Sequence, residues 1–276
     1  MVGTAASLRR ANPTRRRVIS SALAAGASAC GLGGGSSATN ALRPGEKGRV
    51  VRVSDGDLIA LDTGLRVRLA EIEAPSRPYR DREGEPFADE AGARLEEAVL
   101  GRQCQLFYGG LSRDPYDRAI AHVIATDELG RKIWANGFQI RQGCARVRTW
   151  PDNAARASEL LALEAEARAA SRGLWATPYY ALRRPQEMGE SAGRFALVEG
   201  RARVVEDAFR EEGTCRPSGD GLVLELGARL RRLRDMDELP QDLRVRIRGR
   251  VRDDNGFHIP LTHWAQIERL DVGESL

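Results

Sequence analysis

The sequence predicts a mainly β, α+β chain: a five-stranded barrel carrying three helices, followed by a second, small β domain. Three observations predict it. Apolar and polar residues alternate on both sides of Asp55-Gly56-Asp57 and again from Leu65 to Leu69, the period-two signature of half-buried strands. The predicted elements then run three strands, a helix and two strands, which is the order of an OB-type barrel. After a stretch at 178–193 with Pro185, two glycines and mixed charge, the same order returns, which predicts a second OB-like unit.

Taken in order, strands are expected at 48–54, 57–62 and 65–71, the last two joined by a Thr63-Gly64 turn. A polar loop from Ser76 to Glu85 leads to a helix over 88–100, ended by Gly101. Strands at 103–108 and 120–125 complete the barrel. Helices at 135–142 and 154–172 follow, the second with Leu160, Leu161 and Leu163 available to pack on it. In the second unit, strands are expected at 196–205, 221–226, 228–233, 243–251 and 257–267, with an acidic helix at 235–239. The domain boundaries drawn from this are 1–41, 46–177, 178–193 as linker, and 194–276.

The 276 residues suffice for two modest cores, and 42% hydrophobic content argues for a globular chain. No run approaches the ~20 apolar residues that a membrane span needs. Residues 1–41 read as an export segment. Thr14-Arg15-Arg16-Arg17-Val18-Ile19 resembles a twin-arginine motif, a short Ala/Ser-rich apolar run follows, and cleavage after Ala29 leaves Cys30 at the head of a Gly/Ser tether. The expected location is periplasmic, or at the envelope through lipid on Cys30; a disordered basic arm is the other reading. Removing the five arginines of residues 1–29 takes the formal charge from +4 to −1, so any nucleic-acid site must be a local patch. Cys104, Cys144 and Cys215 have no metal-like spacing; buried thiols or a Cys104–Cys144 disulfide are both open. With three histidines in the chain, a histidine metal site or triad is not expected.

The chemistry concentrates between Val51 and Pro75. Carboxylates flank a glycine at Asp55-Gly56-Asp57, Arg66 and Arg68 lie on the next strand, and Glu71 and Glu73 close the segment. Hard oxygen donors beside guanidinium groups are what a divalent cation and a phosphodiester need together.

Four pieces in one order resemble the staphylococcal nuclease family over residues 48–175. They are V-x-D-G-D-x-I (Val53 to Ile59), R-x-R-L-x-x-I-x-A-P (Arg66 to Pro75), D-x-Y-x-R (Asp114 to Arg118) and a terminal Gly173-Leu174-Trp175. The resemblance implies Ca²⁺ held by Asp57, Glu73 and the carbonyl of Ala74, with Asp55 supporting the ligands. Glu73 stands where the family usually has Asp, a change that calcium's flexible coordination tolerates. Arg68 and Arg118 match the family's phosphate-gripping arginines, and Tyr116 is a candidate for base stacking. The departure is Ser76, which stands where the family's water-activating glutamate would be. A serine is no general base near neutral pH, and losing such a base typically costs roughly 10²–10⁴-fold in rate. Asp81, Glu83 and Glu85 in the following loop are the carboxylates within reach of that role. Leu58, where the family usually has Thr, removes a further polar group.

The resemblance therefore implies an exported, Ca²⁺-dependent phosphodiesterase acting on DNA or RNA and impaired in water activation. The alternative is a catalytically inactive binding module at the cell envelope. The second unit resembles C-terminal modules of some bacterial members. Its main feature is Arg244, Arg246, Arg248, Arg250 and Arg252, which period-two spacing sets on one strand face. The preferred reading is a face paired with acids of neighbouring strands; a nucleic-acid stripe is the other. His258 and His263 are too isolated for metal.

Overall fold

In the computed structural model the described residues are 42–207, 210–232 and 242–270. The export segment with Cys30 and the predicted helix at 235–239 lie outside them. The described residues all fall within one compact unit.

Strand β1 (Arg43–Asp55) pairs antiparallel with β2 (Leu58–Leu61), and β2 with β3 (Arg66–Leu69). After β4 (Ile72–Glu73) and helix α1 (Ala88–Val99) come β5 (Gln103–Tyr108) and β6 (Ala119–Thr126). β5 lies between β1 and β6, and β6 runs parallel to β3, so the sheet closes on itself. Closure leaves no unpaired edge around the ring. The alternation seen in the sequence supplies the interior: Val50, Ile59, Leu61, Val67, Leu69, Leu106 and Val123 are all essentially inaccessible. Each fully buried side chain of this size contributes roughly 1.5–3 kcal/mol.

Strand β7 (Lys132–Trp134) extends the sheet from β6 and leads into α2 (Ala135–Arg141). β8 (Arg146–Val147) pairs with β4, and α3 (Ala157–Ala169) follows. α3 buries Leu160 and Leu163, whereas Leu161 is only half-buried. The short strands β4, β7 and β8 carry too few residues to show a period.

Gly56 has a packing reason. A Cβ there would lie 2.7 Å from the Ala74 Cβ and 2.9 Å from the Ala91 Cβ, so the hairpin tip, the β4 exit and α1 meet at that glycine. The buried Gln139 fixes the junction, donating to Gly56 O at 2.7 Å and Ala91 O at 3.0 Å. Gly56→Ala is therefore expected to lose roughly 1–3 kcal/mol by overpacking, read as a lower melting temperature in thermal unfolding.

The stretch at 178–193 is packed down. Its two 3-10 turns, Pro178–Tyr180 and Pro185–Ser191, bury Tyr180 and Met188, and Tyr180 Oη donates to Pro86 O at 2.7 Å. The second β unit comprises β9 (Phe195–Asp207), β10 (Gly213–Ser218), β11 (Gly221–Gly227), helix α4 (Ala228–Arg232), β12 (Asp242–Arg250), β13 (Ile259–Leu261) and β14 (Ile267–Arg269). Its sheet order is β13-β10-β11-β9-β12-β14, with β9 and β11 parallel.

Three expectations are corrected here. Residues 228–232 are helical where a strand was expected, because Ala-Arg-Leu-Arg-Arg satisfies either period over so short a run. Strand β10 was not foreseen; Gly213 and Pro217 mask it. The stretch 257–267 is two short strands broken by a turn, since Gln266 Oε1 accepts from the Thr262 and His263 N–H groups and His263 Nδ1 accepts from Ala265 N–H. The three cysteines in the described residues are free and buried, which removes the Cys104–Cys144 disulfide.

Arginines and glutamates tie the first barrel to the second β unit, whose sheet has no closing pairing among the described residues. Arg248 is 1% exposed, donates to Glu164 Oε2 at 2.7 Å and to Val147 O at 3.2 Å, and also pairs with Glu268. Burial alone would lower its pKa; Glu164 and Glu268 outweigh that and raise it. Glu164 receives Val147 N–H at 2.7 Å on its other oxygen. Arg244 and Arg246 pair with Glu199, and Arg246 also with Glu268, so most of the arginine face is neutralised by neighbouring acids.

Candidate active site

The β1–β2 hairpin places Asp55 and Asp57 at its tip, and the β2–β3 register puts Arg68 opposite Leu58. Arg68 Nη2 accordingly lies 3.2 Å from Asp57 Oδ2, which also accepts Ala74 N–H at 3.3 Å. Glu73 stands on β4 one residue before that amide. Its Oε1 accepts Arg148 Nη1 at 2.6 Å and lies 3.8 Å from Arg250 Nη2 of the second β unit. Arg118 immediately precedes β6, whose parallel pairing with β3 brings it alongside Arg68 in a cleft of about 340 Å³.

Asp57 is 6% exposed and Glu73 is also buried. Burial raises the Asp57 pKa, Arg68 opposes this, and the charge of Glu73 raises it further. Asp55 is pushed up to about 6 by burial and then by the charge of Asp57. In turn Asp57 is the largest cause holding the Arg68 pKa up. The carboxylates thus repel one another in a poorly solvated place, and an added cation would relieve them.

The donor set fits calcium. Glu73 Oε2 is buried with no hydrogen-bond partner, an orphaned acceptor that a cation would satisfy. Two carboxylates and the Ala74 carbonyl are hard oxygen donors of the kind Ca²⁺ takes. Among the described residues no group of three or more His, Cys, Asp or Glu side chains gathers as a metal cluster, so those two carboxylates with backbone oxygen and water are the set on offer. Asp55 Oδ1 accepts Gly56 N–H at 3.0 Å, which orients the hairpin tip.

Arg118 is held by Asp114, with Nε donating to Oδ2 at 2.6 Å. Its guanidinium lies 5.2 Å from the ring centre of Tyr116, which is 70% exposed at the cleft mouth. Ser76 carries no carboxylate, but the loop brings one to it. Glu85 Oε2 accepts Ser76 N–H at 2.9 Å, and Glu85 N–H donates back to Ser76 O at 2.8 Å. Arg146 Nη2 lies 3.8 Å from the other Glu85 oxygen.

Arg148 was missed from the sequence. Burial lowers its pKa against the pull of Glu73, and Arg68 and Arg250 lower it further, so three guanidinium groups crowd one carboxylate. Nothing in Arg146-Val147-Arg148 marks this, because an arginine–valine alternation suits any half-exposed strand.

Residues 66–177 match the family described as Staphylococcal nuclease homologue; Asp55 and Asp57 lie just before that range. A protein of Verticillium alfalfae called "Probable endonuclease LCL3" is 32% identical over 114 residues, 40% of this chain and 39% of its own. The "Thermonuclease" of Staphylococcus intermedius is 29% identical over 112 residues, 40% of this chain and 64% of its own. "Protein ParB" of Escherichia coli is 31% identical over 140 residues, 48% of this chain and 74% of its own. The chain spans about two fifths of the length of the LCL3 relatives it matches. Barrel topology and similarity agree: through its first barrel the chain belongs to the staphylococcal nuclease homologue family.

Proposed function

We propose that the protein is a Ca²⁺-dependent phosphodiesterase acting on nucleic acid, exported by way of residues 1–41. The observation that carries this is a pair of buried carboxylates, Asp57 and Glu73, behind Arg68, which lines the cleft together with Arg118, with one Glu73 oxygen unsatisfied. Asp57, Glu73 and the Ala74 carbonyl would hold the ion, which when bound supplies charge neutralisation at the scissile phosphate. Arg68 and Arg118 offer planar, permanently charged donor forks for the phosphoryl oxygens. Asp114 and Asp57 hold them in place beforehand, so little reorganisation is needed as charge develops. Tyr116 at the mouth offers a face to a base. Glu85, which accepts the Ser76 N–H, is the carboxylate we assign to take a proton from the attacking water, a role residue 76 cannot fill.

The test is cleavage of plasmid and single-stranded DNA by the full chain with Ca²⁺ or with EDTA. Cutting that requires Ca²⁺ and falls roughly 10²–10³-fold in Arg68→Ala is expected, the size of effect seen when one transition-state donor is removed. Calcium affinity carries its own pH signature. An ordinary aspartate stays ionised down to about pH 4, whereas Asp55 takes up its proton near 6. Its negative charge is present above that value and lost as pH falls through it. Calcium binding by calorimetry should therefore weaken between pH 7 and 5, and an unchanged affinity would remove Asp55 from the site.

One observation favours the second reading, an inactive binding module. Arg148 and Arg250 already neutralise Glu73 Oε1, so the site tolerates the absence of a cation better than two bare carboxylates would. Wild type inert under all conditions, with activity appearing in Ser76→Glu, would decide for it.

A further inference from the structure

Between the first barrel and the second β unit lies another pocket of about 140 Å³, which shares Arg148 and Trp150 with the cleft. Arg148 and Thr149 line it from the first barrel, and Arg248, Arg250 and Arg252 from the second unit; none of its lining residues is acidic. Two of these residues carry buried polar atoms without a partner. Thr149 Oγ1, on a residue 5% exposed, and Arg248 Nε, on a residue 1% exposed, have no hydrogen bond. Leaving such groups unpaired is costly, and both can donate to an oxygen-rich ligand.

The charges point the same way. Among the described residues, Glu73 serves both Arg148 and Arg250, the latter only at 3.8 Å. Arg248 shares Glu164 with Arg168 and Glu268 with Arg246, while the Arg252 guanidinium has no ion pair. The pocket is thus short of negative charge and rich in forked donors, which is the chemistry that recognises a phosphate. Its volume suits a phosphate group and is too small to enclose a base as well. Trp150, 48% exposed between the two cavities, presents a ring to a base that remains outside.

We propose that this pocket binds a backbone phosphate of a single-stranded nucleic acid, the strand continuing from the cleft of the first barrel, past Trp150, onto the second β unit. The proposal rests on the reading of the cleft as a nucleic-acid site and adds the second β unit to it as a substrate platform. It also divides the arginine face. Arg244, Arg246 and Arg248 hold the fold together, and Arg250 and Arg252 at its end meet the strand.

The test measures binding by the full chain in EDTA, so that no cleavage is needed. Fluorescence anisotropy is recorded with labelled oligothymidylates of two and eight nucleotides, and Trp fluorescence with inorganic phosphate. Arg252→Ala changes an exposed residue, and Thr149→Val preserves shape; each is expected to raise the octamer Kd about tenfold. In Arg252→Ala the salt slope should also fall by about 0.7, the value for one single-strand phosphate contact. Arg68→Ala should weaken dimer and octamer alike. Wild-type octamer affinity in both pocket variants overturns the proposal. So does an octamer that binds no more tightly than the dimer, even if free phosphate still occupies the pocket. Octamer binding that depends on Arg252, without any cleavage in Ca²⁺, supports the pocket and sinks the nuclease reading instead.

Discussion

Arg248→Ala is expected to cost about 3–5 kcal/mol in denaturant unfolding. The reason is what the change leaves behind. Glu164 is fully buried and shares its Oε2 between Arg248 and Arg168, while its Oε1 holds Val147 N–H. Without Arg248 that carboxylate keeps only part of its compensation in a poorly solvated seam. Removing both charges should hurt less: Arg248→Met with Glu164→Gln keeps an oxygen for Val147 N–H and is expected to recover part of the loss. Glu268 gives the pH window. Burial raises its pKa, but Arg248 and then Arg246 outweigh this and hold it below its ordinary value. A depressed carboxylate contributes stability above its unfolded pKa of about 4.5 and loses it as pH falls below. In wild type this contribution fades below about pH 4.5; in Arg248→Ala the fading should be smaller. Equal acid sensitivity in the two proteins would count against the network.

The first barrel was legible because its information is local. The alternation around Asp55-Gly56-Asp57 is strong, and the D-G-D, R-x-R and D-x-Y-x-R pieces sit on strands and a turn whose register follows from that pattern. The second unit was harder to read for physical reasons. Strand β10 contains Gly213 and Pro217, and α4 is too short for 3.6 and 2 to be told apart. The arginine face is evenly spaced in sequence, yet its members differ in fate because only packing against α3 buries Arg248. Arg148 was invisible for the same reason, since its partner Glu73 is 75 positions away. The loop after Pro75 offered three acids with equal claim. Two hydrogen bonds close the backbone between Glu85 and Ser76, and on that ground our proposal selects Glu85.

That selection carries the other large expectation. Glu85→Gln should lower kcat for DNA cleavage by roughly 10²–10⁴-fold while leaving KM nearly unchanged, the loss that follows removal of a general base. Glutamine keeps an oxygen for Ser76 N–H, so the loop stays closed and the change isolates the charge. The pH dependence of kcat, read at saturating Ca²⁺ so that protonation of Asp55 does not limit it, separates chemistry from scaffolding: a base that must be ionised gives the rate an acid limb, and Glu85→Gln should abolish that limb. A merely structural Glu85 would lower stability and leave the limb in place. Adding Ser76→Glu to Glu85→Gln puts a carboxylate back one residue beyond Pro75, beside the same amide, and is expected to restore activity at least tenfold. If Glu85→Gln cuts as fast as wild type, the water is activated by another group, and the ion alone is the nearest candidate. If Ser76→Glu raises activity on an intact Glu85, the loop carboxylate is the less effective base of the two.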